Sequence, residues 1–192
     1  MKKIMFNDKY FLTQAVLTGD KTMTRRLLKD NVPLGNWEET VKHLPYKVGE
    51  VVVISQSYKA VFEEKLASSG NAKANEWWYK AIGSAIVPPS KIAGYKNKMF
   101  VKADLMPHHI KITDVKVERL QDISEEDILR EGVWQFYDNK NLFYVSKNIG
   151  YAPTVAFPSA CEAFAYLIDM VSGKGTWESN PLVVVYSFEL LD

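Results

Sequence analysis

Apolar residues recur along this chain with two different periods. Phe11, Leu12, Ala15 and Val16 fall at helical spacing, and Ala160, Phe164, Leu167, Ile168 and Val171 repeat that spacing after Ser159, whose hydroxyl suits an N-cap. The runs Val51-Val52-Val53-Ile54 and Leu182 to Leu190 are rich in β-branched residues and predict core strands. Ile4-Met5-Phe6 predicts a short first strand, with Asn7 or Asp8 capping the helix behind it. Order also returns at Met99-Phe100-Val101. The alternation through Ile110, Ile112, Val115 and Val117 changes phase at Thr113-Asp114, which predicts a bend or bulge. Ser124-Glu125-Glu126-Asp127 opens a short helix that Gly132 can stop, and residues 133–145 predict a hairpin around Asp138-Asn139-Lys140-Asn141.

Two stretches lack a clear period. Residues 29–47, with Pro33, Gly35 and Pro45, read as an irregular connection, and residues 62–98 read as an insertion with little regular structure. Its aromatic cluster Trp77-Trp78-Tyr79 fits a loop anchored onto the core better than a platform for stacking bases. Strands scattered among short helices, without regular alternation, predict an α+β fold. The expected form is a compact curved sheet or small barrel, mixed and mostly antiparallel, flanked by short helices.

Composition narrows the picture. An apolar share of 47% over 192 residues supports one globular domain, spanning residues 1–192. With 24 Lys and Arg against 23 Asp and Glu, attraction to nucleic acid has to come from a local patch. No apolar run is long enough to cross a bilayer, so no membrane partner is expected. The single Cys161 fits a reducing compartment and a cytoplasmic setting, and its place in a helical apolar pattern predicts a buried structural thiol. Met106-Pro107-His108-His109 lacks the further His and Cys that a zinc set needs, so solvated or locally bonded histidines and no metal are expected. Gly173-Lys174-Gly175 follows a helix and lacks the P-loop Lys-Ser/Thr, so no cofactor is expected either.

Reactive chemistry concentrates in Gly19-Asp20-Lys21-Thr22-Met23-Thr24-Arg25-Arg26. Gly19 suits a left-handed helix stop. Beyond it an extended segment would put Thr22, Thr24 and Arg26 on one face and Lys21, Met23 and Arg25 on the other, so Lys21 meets Thr24 only if the backbone bends near Lys21. Glu131 is the odd carboxylate, lying at a helix C-terminus where the dipole does not favour it. A plain reading also fits: two strand threonines, a solvated lysine, a surface acid, and arginines paired with Glu125 and Glu126.

Four pieces in this order resemble the ASCH-domain proteins of the PUA-like superfamily, especially the longer phage and prophage type. They are the helix leading into Gly19 to Arg26; Val48-Gly49-Glu50 entering a strand; Thr113-Asp114-Val115 through Leu120-Gln121-Asp122-Ile123-Ser124 to Glu131-Gly132; and Gly173-Lys174-Gly175-Thr176-Trp177 through Asn180-Pro181. The resemblance implies a small β-barrel with a cleft beside Lys21 to Arg26 that binds RNA or a nucleoside or nucleotide. In that cleft Arg25 and Arg26 would meet phosphate, beside Thr22, with Tyr58 or Trp134 stacking on a base. Some small members remove the acetyl group from N4-acetylcytidine, which would make Thr24 the nucleophile, Lys21 its base and Glu131 the proton shuttle. A third reading is a protein-interaction module of a phage or mobile element. The chain departs from the longer members of the family it resembles at Ser55-Gln56-Ser57 and at His108-His109, where the resemblance implies a loss of charge or aromatic surface at the cleft rim.

Overall fold

The computed structural model describes residues 1–83, 91–145 and 155–191. The strands of its main sheet are β1 (Lys3–Ile4), β2 (Met23–Leu27), β3 (Val51–Ile54), β4 (His109–Arg119) and β7 (Leu182–Leu190). They form a mixed five-stranded sheet in the order β1-β3-β4-β7-β2, and β5 (Trp134–Gln135) and β6 (Phe143–Tyr144) make a separate ribbon. With the helices α1 (Leu12–Leu17), α2 (Trp37–His43), α3 (Tyr58–Ile82), α4 (Glu125–Arg130), α5 (Ala160–Ser172) and α6 (Thr176–Ser179), the chain is α+β. One domain is expected from the sequence; the described residues group into two compact units, Met1–Phe6 with Val51–Ile110, and Asn7–Glu50 with Lys111–Leu191.

In the first unit β1 runs parallel to β3, pairing Lys3 with Val53 and Ile4 with Ile54. Residues 62–82 are not irregular: they belong to α3, which Ser57 caps by accepting from the Ala60 amide at 3.2 Å. Gly70, with φ 76° and ψ 176°, interrupts it. In a straight helix the nineteen steps from Tyr58 to Trp77 would cover about 28 Å. Their ring centroids lie 6.1 Å apart, so the two halves fold back at Gly70 into a helical hairpin. Tyr58, Val61, Val53, Val101 and Met106 make the core of this unit, with Trp77 and Trp78 packed on it. The helix was hard to read because Tyr58, Val61, Ala74 and Ala81 are its only buried residues among those described. Met99 and Phe100 end a short 3-10 turn at Lys98–Phe100, and Val101 follows it in extended backbone. The predicted breaker Pro88-Pro89 lies outside the described residues.

In the second unit β2 and β7 run antiparallel from Met23 opposite Ser187 to Leu27 opposite Val183. Val183 to Phe188 are all buried, so β7 is covered on both faces. α5 turns Ala160, Ala163, Phe164 and Leu167 inward, and the edge of Trp177 meets Phe164 with centroids 6.0 Å apart. Cys161 points the other way and is exposed, correcting the expected buried thiol: one position after Ala160 turns the side chain off the apolar stripe. Past Gly173, Asp169 accepts from the Gly175 and Trp177 amides and thereby anchors α6. Those two donors hold its carboxyl below the usual range. The connection at 29–47 also contains a helix, α2, capped by Asn36, with acids in the first turn and Lys42 and His43 in the last. Only Thr40 of α2 is buried, so no apolar period announced it. Burial along β4 shifts from Ile110 and Ile112 to Val115, the phase change read at Thr113-Asp114.

Tyr186, fully buried in β7 and edge-on to Tyr46 at 5.2 Å, has its hydroxyl pushed up to about 12, mainly by burial. The ordinary value is 10, so the unfolded phenol ionises first as pH rises. Folding stability should therefore fall between pH 10 and 12. In Tyr186→Phe that part of the fall should vanish, as chemical denaturation at pH 9, 10.5 and 11.5 would read out.

Candidate functional site

The second unit brings the reactive segment to a corner. α1 ends at Gly19, whose φ of 77° is the left-handed stop expected there, and the Lys21 amide turns back to the Ala15 carbonyl at 2.9 Å. The chain then leaves the helix sharply. The Thr22 amide donates to the Arg130 carbonyl at 3.0 Å and its carbonyl accepts from Phe188 at 2.9 Å, which docks the start of β2 between α4 and β7.

From that corner the Lys21 side chain runs inward, only 2% exposed, and ends on Glu131, which is 4% exposed and lies 110 residues away. Lys21 Nζ donates to Glu131 Oε2 at 2.6 Å and to the Glu131 carbonyl at 2.7 Å. A cation on the last carbonyls of α4 is the favourable arrangement at a helix C-terminus, and it explains why a carboxylate sits at that end. Gly132 follows with φ 95°, and a Cβ there would lie 3.1 Å from Leu12 Cδ2 and 3.6 Å from Lys21 Cδ. The positive φ and the close approach of Leu12 are what favour glycine here, while the lysine stem passes at ordinary contact distance. Burial lowers the Lys21 pKa, against the pull of Glu131 and with the help of Arg26 and Arg25.

Arg25 holds the other side of Glu131. Its Nη1 donates to Glu131 Oε1 at 3.1 Å and to Met23 Sδ at 3.2 Å. Nη2 donates to Glu118 Oε1 at 2.6 Å and Asp127 Oδ2 at 3.2 Å, and Nε donates to Glu118 Oε1 at 3.1 Å. A guanidinium has five N–H donors, and all five are taken within the protein. Lys116 Nζ reaches Glu118 Oε2 at 2.8 Å. Arg130 Nη1 donates to Asp127 Oδ1 at 3.3 Å, and its Nε donates to Thr22 Oγ1 at 3.2 Å. The cluster thus sets Lys21, Arg25, Lys116 and Arg130 around Glu118, Asp127 and Glu131.

Of the residues singled out in the sequence, Lys21, Arg25 and Glu131 meet directly, and Thr22 joins them through Arg130. Thr24 stands opposite Tyr186 in the β2–β7 ladder, and alternation puts it on the face away from Met23 and Arg25. Among the described residues no hydrogen bond joins Thr24 to Lys21 or Glu131. Arg26 lies on the Thr24 face and lines a groove of about 170 Å³ with Lys29, His43 and apolar neighbours. Trp134 lies parallel to Tyr144, with centroids 6.4 Å apart, in the β5–β6 ribbon. Tyr144 is held above its ordinary pKa by burial and by Asp20. Tyr58 belongs to the core of the first unit, where its hydroxyl accepts from the Lys102 amide at 3.0 Å.

Sequence reasoning missed Glu118, Asp127, Lys116 and Arg130 as members of the cluster. Asp127 was legible only as part of a helix cap, and it does both jobs: its amide donates to Ser124 Oγ while its carboxylate takes Arg25. Lys116 and Glu118 are two apart on β4, hence on one face, a spacing that could have marked them as a pair. Arg25 pairs with Glu118, Asp127 and Glu131 and not with Glu125 or Glu126. In the first unit His108 is locally bonded, Nε2 to Glu64 Oε1 at 2.6 Å, and that bond holds Glu64 below its usual pKa. Gln56 Nε2 donates to the other Glu64 oxygen at 3.0 Å, so both departures from the resembled family converge on one carboxylate. No three His, Cys, Asp or Glu gather as metal ligands among the described residues. Compared with family models, curated proteins and solved structures, the chain matches none.

Proposed function

We propose that this chain is an RNA- or nucleotide-binding protein of ASCH type, a PUA-like small barrel whose ligand cleft lies beside Lys21 to Arg26. The observation that supports this reading is the contact between Lys21 and Glu131. The resemblance puts these two residues in one cleft, and their side chains lie 2.6 Å apart. Arg25 is spent on three carboxylates of the protein, so the reading does not draw on it for phosphate.

The lowered pKa of Lys21 favours a second reading, amide hydrolysis on N4-acylated cytidine. Neutral Lys21 would take the Thr24 proton as Oγ1 attacks the acyl carbon. Glu131 would relay that proton from Lys21 to the departing N4 amine as the C–N bond breaks, and water would then release the acid from the acyl-threonine and restore the Thr24 hydroxyl. This route requires Thr24 to turn toward Lys21.

Incubation with N4-acetylcytidine, alongside Lys21→Ala and Thr24→Ala, separates the two readings. Release of cytidine that both variants abolish establishes hydrolysis. Binding of nucleosides or RNA oligomers without turnover, weakening steeply as salt rises, establishes the binding protein. Neither turnover nor binding by the folded protein overturns both.

A further inference from the structure

We propose that the pocket between the two arms of α3 holds one base of a single-stranded nucleic acid, with the phosphates of the strand outside among lysines. The pocket lies wholly within the first unit, and its volume of about 360 Å³ is above the ~300 Å³ at which small-molecule sites begin. Lys59, Phe62, Glu63 and Leu66 line it at i, i+3, i+4 and i+7, hence from one face of the first arm, and Asn75 and Trp78 line it from the second. Tyr95 completes the wall and is held there by the start of α3. The Tyr58 and Lys59 amides, which a helix leaves without partners in its first turn, donate to the Gly94 and Tyr95 carbonyls at 2.9 and 3.0 Å.

The aromatic cluster of the sequence divides here. Trp77 is an anchor, its Nε1 donating to the Leu105 carbonyl at 3.2 Å. Trp78 lines the pocket, meeting Phe62 at 70° with centroids 5.6 Å apart and Tyr95 at 82° with centroids 5.9 Å apart. Three half-buried rings that fix one another make a preorganised wall for a flat ring, and every base has a π-face. Glu63 gives that ring an edge to meet. It makes one loose ion pair, Oε1 with Lys59 Nζ at 3.5 Å, and accepts no hydrogen bond among the described residues. A carboxylate with acceptor capacity to spare suits an exocyclic amino group such as that of cytosine, which uracil replaces with an oxygen. The charge of the unit then selects a polyanion. Its positions 1–6 and 51–110 hold ten lysines, no arginine and four acids, although the whole chain is nearly neutral. Lys59, Lys73, Lys80, Lys91 and Lys96 are exposed. Lysine is depleted at protein–protein interfaces, so ammonium groups on the unit that carries the aromatic pocket fit a phosphate backbone better than an acidic protein.

The pocket shares no residue with the cleft beside Lys21, so the two readings fail separately. Fluorescence anisotropy would titrate labelled deca-cytidylate and deca-uridylate, a ten-base-pair duplex of mixed sequence, and a poly-glutamate peptide carrying one phenylalanine. Deca-cytidylate is expected to bind at least threefold more tightly than deca-uridylate and at least tenfold more tightly than the duplex or the peptide, weakening steeply as salt rises. Asn75→Trp, which fills the pocket from an exposed helical position, should weaken deca-cytidylate at least tenfold. Phe62→Leu stays apolar but loses the ring, and should weaken it at least fivefold. The surface control Lys174→Gln should change it less than twofold. Because Asn75 is exposed, its variant should keep the fold, which circular dichroism checks. Deca-cytidylate binding that Asn75→Trp leaves intact lies elsewhere and overturns the proposal, as do equal affinities for the two single strands and tighter binding of the peptide. Each of those results leaves the cleft beside Lys21 to its own test.

Discussion

Replacing Glu131 with alanine is expected to destabilise the protein by about 3–5 kcal/mol, the scale for removing one partner of a buried ion pair. The variant strands Lys21 and takes away one of the three carboxylates around Arg25. Lys21 loses Oε2 and Arg25 loses Oε1, and neither side chain has an easy path to water at 2% and 1% side-chain exposure. Lys21 keeps the Glu131 main-chain carbonyl, which is one hydrogen bond without a charge. Its pKa, already lowered by burial, should then fall further, because the partner that raises it is gone. Glu131→Gln keeps the shape and one acceptor, so it should lose less. Urea denaturation of the three proteins at pH 7 reads the order directly. A loss below about 1 kcal/mol for the alanine variant would mean that the ammonium does not depend on this carboxylate.

Arg25→Ala should cost a similar ~3–5 kcal/mol, for the opposite reason. It leaves Glu118, Asp127 and Glu131 facing one another with a single guanidinium removed from among them. Lys116 and Arg130 remain as partial compensation for Glu118 and Asp127. Arg25→Lys should recover only part of the loss, since a point ammonium cannot serve three carboxylates and a thioether through five fixed donors. Arg25 and Glu131 are direct partners, so the double alanine variant should lose less than the sum by about 0.5–3 kcal/mol. Strict additivity would show that Arg25 and Glu131 do not act as one unit.

These two residues also show how far the sequence could be read. Lys21 and Thr24 were visible as a motif because they are neighbours, and Glu131 was visible because a carboxylate at a helix end needs a reason. That Arg25 serves three carboxylates was not visible, since Glu118 lies in β4, Asp127 in α4 and Glu131 just past α4, all more than ninety residues on. An arginine beside a threonine reads equally well as a phosphate ligand. Thr24 illustrates the limit in the other direction: its spacing from Lys21 is right for one cleft, while the strand register gives it to Tyr186.

Local pattern alone determined the elements whose stability is local or periodic. These are the stop at Gly19, the cap at Ser124, the buried run of β7 and the apolar stripe of α5 as far as Leu167, beyond which the expected Val171 is exposed. Each is set by sterics or by one face meeting a core, and both leave a mark within a few residues. The tertiary structure alone decided the fold-back of α3 at Gly70, the helix α2, and the charge cluster around Arg25. In the first two, few side chains are buried, so no period betrays them. In the third, three acids gain their meaning from burial beside cations contributed by other elements of the chain, and burial is a property of the folded unit and not of any residue.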